Sequence, residues 1–470
     1  MKLLSKGILA CLLIVFTCNV RAEELIFPNG NELISGPKEP ADRDAWIAKM
    51  QSWRDSARKR IDFKDEQYRR SELKWAGSAY VQPQAMVEDR YFYDPVARKY
   101  TVDCYLDDVT KRYGGIDAVL LWPVYPNIGI DDRNQHDLLR DLPGGVKGVR
   151  EMIGDFHRHG VHVLFPVMPW DTGTRDEGKP LATAAADLFK EVNADGINGD
   201  TMMGLGHEYL DAANRVDHAL ALEPENHFDD LKMIAWNTMS WGYWKYEQIP
   251  VVSKYKWLEP RHMVNISERW AKDRTNGLQA AYFNGVGYES WENVWGIWNQ
   301  FTPRDAESLR RIATIERAMA DLLTSADWEP HVPTLQGGVY ASRFPGKDHT
   351  LWVFVNRTDK SIPGEQLEVP ADAKYFDLWN GTELAGKPSE NKQSKLSFEI
   401  EPHGYGAVLG LSSGEPDEKL TKLLATMKDL SKQKLSDFSA EWKPLPQKIV
   451  EIAKTKKASD TPEDMILIPS

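Results

Sequence analysis

A chain of 470 residues is long for one ordinary domain, so a large domain with a smaller partner is the default architecture. Hydrophobic residues at 42% and charged residues at 27% exclude wholesale disorder and a multi-span membrane protein. A net charge of −12 argues against nucleic acid as a partner, because phosphates require a basic face.

Residues 1–22 read as an export signal: Lys2 and Lys6, an apolar run over 8–16, then the small-residue pattern Val20-Arg21-Ala22. The run is shorter than the ~20 apolar residues of a membrane span, so no span is expected after cleavage. Cleavage after Ala22 removes three cations (Lys2, Lys6, Arg21) and no acid, so −12 becomes −15. The expected location is periplasmic or extracellular. Cys11 and Cys18 leave with the signal, and Cys104 alone cannot form an intrachain disulfide. No Cys/His cluster stands at metal-ligand spacing, so neither a metal site nor a cofactor is expected.

Residues 23–75 form a preface with a helix predicted over 43–60. From residue 76 short apolar strands alternate with amphipathic helices. A strand over 117–122 precedes a helix that opens near Gly144-Gly145, carries Val146, Val149, Ile153 and Phe156 on one stripe, and stops at Gly160. A strand over 161–167, a helix over 182–192 and a strand over 196–198 follow. Further strands are expected at 219–222, 233–236 and 278–283. A closing helix is signalled by Thr302 as cap, Pro303 in the first turn and Asp305, with Leu309, Ile312, Met319 and Leu322 facing inward.

This alternation predicts an α/β fold, a (β/α)8 TIM-type barrel over 76–330. Beyond it the pattern becomes strands without helices, at 339–344, 351–356, 366–369, 374–379 and 396–400, which predicts a small antiparallel β-sandwich over 331–412. Residues 413–460 are Lys-rich and read as a helical linker, with helix over 418–435.

Parallel barrels gather reactive groups where strands end, at the C-terminal rim. Trp170-Asp171 after one strand reads either as a stacking platform with a polar contact or as a packed turn. Asp200 ends another strand and is a candidate glycosyl nucleophile, since a carboxylate can attack an anomeric carbon and later leave. Glu223 ends the next. Glu259 is a candidate general acid or base, with Arg261 and His262 holding sugar hydroxyls or tuning it; a local Glu259–Arg261 ion pair is the structural alternative. Asn284, Tyr288, Glu289, Trp291 and Glu292 follow one another closely enough to make one wall. Of the 17 Trp, eight crowd over 236–298, Trp241 among them, and flat indoles suit sugar rings. The preferred catalytic pair is Asp200 with Glu259, with Glu223 and Glu289 as reserves. The Asp131-Asp132 loop reads as solvated rather than metal-binding.

The stretch Arg112-Tyr113-Gly114-Gly115-Ile116-Asp117-Ala118-Val119-Leu120-Leu121-Trp122, with Tyr125-Pro126-Asn127-Ile128-Gly129-Ile130-Asp131 and residues 283–299, resembles the barrel region of large bacterial proteins that carry a C-terminal formylglycine-generating-enzyme-like (sulfatase-modifying-factor) domain. The resemblance spans most of 76–410 and implies a glycoside-hydrolase-like barrel, without assigning a reaction to any residue. Residues 461–470, ending Met465-Ile466-Leu467-Ile468-Pro469-Ser470, resemble the opening strand of that domain, which implies a chain truncated where the domain begins. Two functions fit: an exported glycoside hydrolase acting through rim carboxylates, and a non-catalytic glycan-binding module that positions the missing domain. Either takes an oligo- or polysaccharide, plain or sulfated, as partner.

Overall fold

A computed structural model describes residues 32–87, 91–123, 131–270, 272–294, 297–298, 301–443, 454, 456–461 and 465–468. The export signal at 1–22 and most of the 125–131 motif lie outside them.

Eight parallel strands form one continuous sheet: β1 (Val81–Met86), β2 (Ala118–Trp122), β3 (His162–Val167), β4 (Gly196–Gly199), β5 (Ala221–Pro224), β6 (Met239–Gly242), β7 (Met263–Glu268) and β8 (Gly287–Trp291). The sheet runs β5-β4-β3-β2-β1-β8-β7-β6, and its two ends, β5 and β6, lie side by side, so the cylinder is nearly closed. A helical segment follows each strand in turn: Val102–Tyr113, Gly145–Arg158, Leu181–Val192, His207–Arg215, the 3-10 turn Leu231–Ala235, Lys254–Leu258, Thr275–Asn284 and Pro303–Ala318. This is the predicted (β/α)8 barrel. The last helix starts as its sequence signals: Thr302 Oγ1 accepts from the Asp305 amide and donates to the Asp305 carboxylate.

Two expected strands are something else. Residues 233–236 lie in the 3-10 turn and the loop after it, and the strand comes later, at Met239–Gly242. Residues 278–283 belong to the helix Thr275–Asn284, nearly all of whose side chains are buried. That helix lies between the barrel and the β domain, so it has no polar face to betray its period. Gly285 ends it at φ +61, with Leu323 and Phe344 packed where a Cβ would stand.

The β domain is a sandwich. One sheet has the order β9 (Glu329–Val332), β10 (Val339–Pro345), β11 (His349–Asn356), β17 (Tyr405–Leu411), β13 (Lys374–Asp377), β14 (Thr382–Leu384); the other runs β12 (Glu365–Pro370), β16 (Gln393–Ser397), β15 (Lys387–Pro388). Along β11 the side chains alternate between two cores. Trp352 and Phe354 pack between the sheets, whereas Leu351, Val353 and Val355 join the barrel's core. The larger sheet is therefore buried on both faces, which fixes it to the barrel.

The helix expected in the linker spans Glu418–Leu430 and is docked, burying Leu420, Leu423 and Met427. Arg311 of the closing barrel helix, 1% exposed, donates to the carbonyls of Leu430, the docked helix's last residue, and of Gln433 just beyond, each at 2.8 Å. Residues Met465, Ile466, Leu467 and Ile468 are exposed and form no strand. None of the described helices is long and apolar enough to cross a membrane.

Gly381, at φ +63, lies against the backbone of this docked helix at Leu424 and Lys428. A methyl group there overpacks the contact, so Gly381→Ala is expected to cost about 1–3 kcal/mol. Thermal denaturation reads the loss, and limited proteolysis after residue 412 should become faster.

Candidate active site at the barrel mouth

In a parallel sheet, residues in register point to the same face. Gln82 is in register with Glu289, Gln84 with Trp291, Asn198 with Glu223, and Ser267 with Glu289. These side chains fill the inside of the cylinder, so its interior is polar where most barrels are packed with branched aliphatics.

Glu223 is the centre of that interior and has no exposed surface. Its carboxylate accepts from Gln82 Nε2 at 2.8 and 3.0 Å, from Asn265 Nδ2 at 2.9 Å and from Asn198 Nδ2 at 3.2 Å. Burial raises its pKa and these three amides oppose the rise. Glu289, equally buried, has neither carboxylate oxygen hydrogen-bonded. Burial, then the charges of Glu223 and Glu225, push its pKa far above the usual carboxylate range, which keeps it protonated.

One layer above this floor, at the C-terminal ends of β4 and β5, the carboxyls of Asp200 and Glu225 hydrogen-bond each other. Each residue is 7% exposed. Burial and the neighbouring Glu225 raise the Asp200 pKa to about 7, against a hydrogen bond from Trp170 Nε1 at 2.5 Å. Glu225 is surrounded by donors: it accepts from the Thr201 amide at 2.7 Å, Tyr243 Oη at 2.8 Å and Arg269 Nη2 at 2.6 Å. The Thr201 amide reaches it because Thr201 adopts φ +61, a left-handed conformation costly for a β-branched residue. Arg269 also stacks over Trp291, 4.6 Å from the ring centre. A carboxyl pair sharing a proton offers an acid and a nucleophile or base side by side.

Around this pair the loops expose apolar surface. Trp170 follows β3, Met203 follows β4, Tyr243 follows β6 and Trp270 follows β7, and each is more than a third exposed. Indole and phenol faces set about a polar floor match the apolar faces and hydroxyl edges of a sugar ring.

Of the residues singled out from the sequence, the mouth and interior contain Asp200, Trp170, Glu223, Glu289, Trp241 and Trp291. Trp241 and Trp291 are buried, with ring centroids 6.1 Å apart, and Trp291 Nε1 donates to Ser267 at 2.8 Å. The structure does not bring Glu259 to Asp200. Glu259 lies before the start of β7, at the opposite end of the cylinder, bound by Arg261 at 2.7 Å, and Arg261 also pairs with Asp65. Beside it, His262 is buried between Tyr68 Oη and Ser240 Oγ, and burial lowers its pKa to about 3. These three form a structural base.

Tyr288 alternates with Glu289 and so faces outward, donating to Glu268 at 2.9 Å. Asn284 ties together the backbone at Ser253, Val251 and Ala280. Glu292 is paired with Arg112 and Tyr113, and Asp171 fixes a turn through the Gln135 amide and Thr174. Asp131 is paired with Arg133. Sequence reasoning passed over Glu225, Tyr243 and Arg269. For Glu225 a signal existed: it stands two residues after Glu223, hence on the same face of the strand, one layer nearer the rim.

No family model matches the sequence, and no curated protein matches it. Solved structures resemble the fold. An alpha-amylase from Geobacillus thermoleovorans, solved with acarbose, aligns over 72% of this chain and 99% of its own at 11% identity and a TM-score of 0.50. An Anoxybacillus alpha-amylase covers 73% of this chain and 99% of its own at 11% identity (TM-score 0.49), and a debranching enzyme from Nostoc punctiforme 71% and 98% at 11% (TM-score 0.49). At such identity the likeness establishes the fold, a barrel followed by a β-sandwich, and leaves activity to be argued from the site.

Because the fold raises the Asp200 pKa from its ordinary value to about 7, ionising it destabilises the folded state. Stability is thus lost as pH rises from about 4 to 7. Asp200→Asn removes that loss: its melting temperature should match the native protein at pH 4 and exceed it at pH 8.

Proposed function

We propose that this chain is a glycoside hydrolase that cleaves an oligo- or polysaccharide at the barrel mouth, with Asp200 and Glu225 as its catalytic pair. The observation that carries this reading is the hydrogen-bonded carboxyl pair at the C-terminal rim, flanked by exposed Trp170, Tyr243 and Trp270. Glycoside hydrolysis needs one protonated carboxyl to protonate the leaving oxygen and one ionised carboxyl to attack the anomeric carbon or activate water. Asp200, its pKa raised to about 7, supplies the protonated form near neutral pH. Two carboxyls in hydrogen-bond contact lie closer than the roughly 5–5.5 Å of a retaining pair and leave no room for the water that an inverting pair at roughly 6.5–9.5 Å admits. Retention of anomeric configuration is therefore favoured over inversion.

Supporting groups have clear parts. Arg269, Tyr243 and the Thr201 amide orient Glu225. Trp170 orients Asp200 through its indole N–H while presenting its ring face to the mouth. Among the described residues, four carboxyls (Asp200, Glu223, Glu225, Glu289) meet one guanidinium in this region, so the reading favours a neutral glycan over a sulfated one. With residues 1–22 as an export signal, the substrate is met outside the cytoplasm.

The test is release of reducing ends from a polysaccharide panel. Asp200→Asn and Glu225→Gln are each expected to lower turnover by about 10²–10⁴-fold, while Glu259→Gln leaves it unchanged and lowers the melting temperature. Proton NMR of the first-formed product should show the substrate's anomer. Equal rates for native protein and Asp200→Asn would remove the pair from the mechanism, and binding without turnover on every substrate would make the chain a glycan-binding module instead. A rate that depends on the protonated pair should also fall as pH rises through about 7, because the acid form of the pair is then lost.

A further inference from the structure

We propose that His157, His162 and Asp195 form a zinc-binding site at the N-terminal end of the barrel, remote from the mouth. The three residues come from separate elements: the last turn of the helix Gly145–Arg158, the first position of β3, and the position before β4. Their ligand-capable atoms all lie within 4.8 Å of one another. His157 Nε2 stands 2.7 Å from Asp195 Oδ2, and His162 Nδ1 stands 3.2 Å from Asp195 Oδ1. His162 Nδ1 is buried yet makes no well-aligned hydrogen bond, which leaves a lone pair or proton pointing into the cluster without a proper partner.

The surroundings orient these groups as outer partners orient metal ligands. Trp75 stacks flat on the His162 ring, centroids 4.1 Å apart and planes 10° from parallel. Asn193 Nδ2 lies 3.4 Å from His157 Nδ1, and the Val163 amide donates to Asp195 Oδ2 at 2.7 Å. Two imidazoles and one carboxylate suit zinc and its transition-metal neighbours, with water as the fourth ligand; calcium and magnesium require an oxygen shell. The side chains are 18–30% exposed, which gives an ion access.

Asp195 and Asp200 bracket β4 from opposite ends, so an ion here does not reach the catalytic pair. Its effect is to fasten the end of a helix to the beginnings of two strands, at the face of a barrel that governs stability. On binding, zinc takes the Nε2 lone pair of His157 in the tautomer that carries its proton on Nδ1.

The experiment uses untagged full-length protein dialysed against chelator. Calorimetric titration with zinc should show one ion per chain, and cobalt in its place should give tetrahedral visible bands that zinc abolishes. Chelation should lower the melting temperature, and Trp75→Leu should weaken zinc binding by about 10–100-fold, as loss of an outer-shell partner does. His157→Gln with His162→Gln should abolish binding. Absence of heat and of cobalt bands in the native protein would overturn the site and leave the cluster an ion pair; so would a double variant that binds zinc as tightly as the native chain. Neither result bears on the carboxyl pair at the mouth.

Discussion

A carboxyl group on the axis of a closed barrel has no water to turn to, and much of this protein's arrangement follows from having one there. Glu223 has no exposed surface, so its charge must be met by protein donors, and three amides from β1, β4 and β7 meet it. Those amides occupy positions that in an ordinary barrel would hold valine, isoleucine or leucine. The interior is thereby made polar before any catalytic group is considered. It can carry a second buried carboxyl, Glu289, only because that one stays protonated beside Glu223 and Glu225.

The mouth inherits this field. Asp200 and Glu225 are the same kind of group a hydrogen bond apart, yet their environments differ. A guanidinium, a phenol and a backbone amide donate to Glu225, whereas Asp200 has one indole donor and a buried setting. Local backbone strain contributes as well. Thr201, next to Asp200, takes a conformation that β-branched residues avoid, and the result is an amide aimed at Glu225. Opposed environments for two neighbouring carboxyls are how one fold supplies acid and base at the same pH.

The rest of the molecule holds this rim still. The larger sheet of the β domain is buried on both faces, one of them against the barrel, through the period-two alternation of β11. The helix Glu418–Leu430 closes over the last barrel helix, and buried Arg311 gives its donors to backbone carbonyls at and just after the end of Glu418–Leu430. The N-terminal helix Arg43–Arg60 braces the other end, where Trp257 donates to the Met50 carbonyl at 2.9 Å. Glu259, Arg261 and His262 belong to that base, which explains why an acid, a cation and an imidazole so close in sequence are spent on structure.

The sequence by itself determined the class of fold, because the strands that read as apolar runs, 117–122 and 161–167, are those buried on both faces, and the helix cap at Thr302 is local chemistry. It also determined that Asp200 ends a strand. Strands β1, β7 and β8 were illegible for the reason that makes them interesting: their inward positions carry Gln82, Gln84, Asn265, Ser267 and Glu289, so they lack the apolar signature by which a parallel strand is read. Only the tertiary structure decided which end of the cylinder each acid occupies. It parted Glu259 from Asp200, put Glu225 in its place, and brought His157, His162 and Asp195 together from three elements. A strand's two ends look alike in sequence, and they differ only once neighbouring strands fix which way the barrel faces.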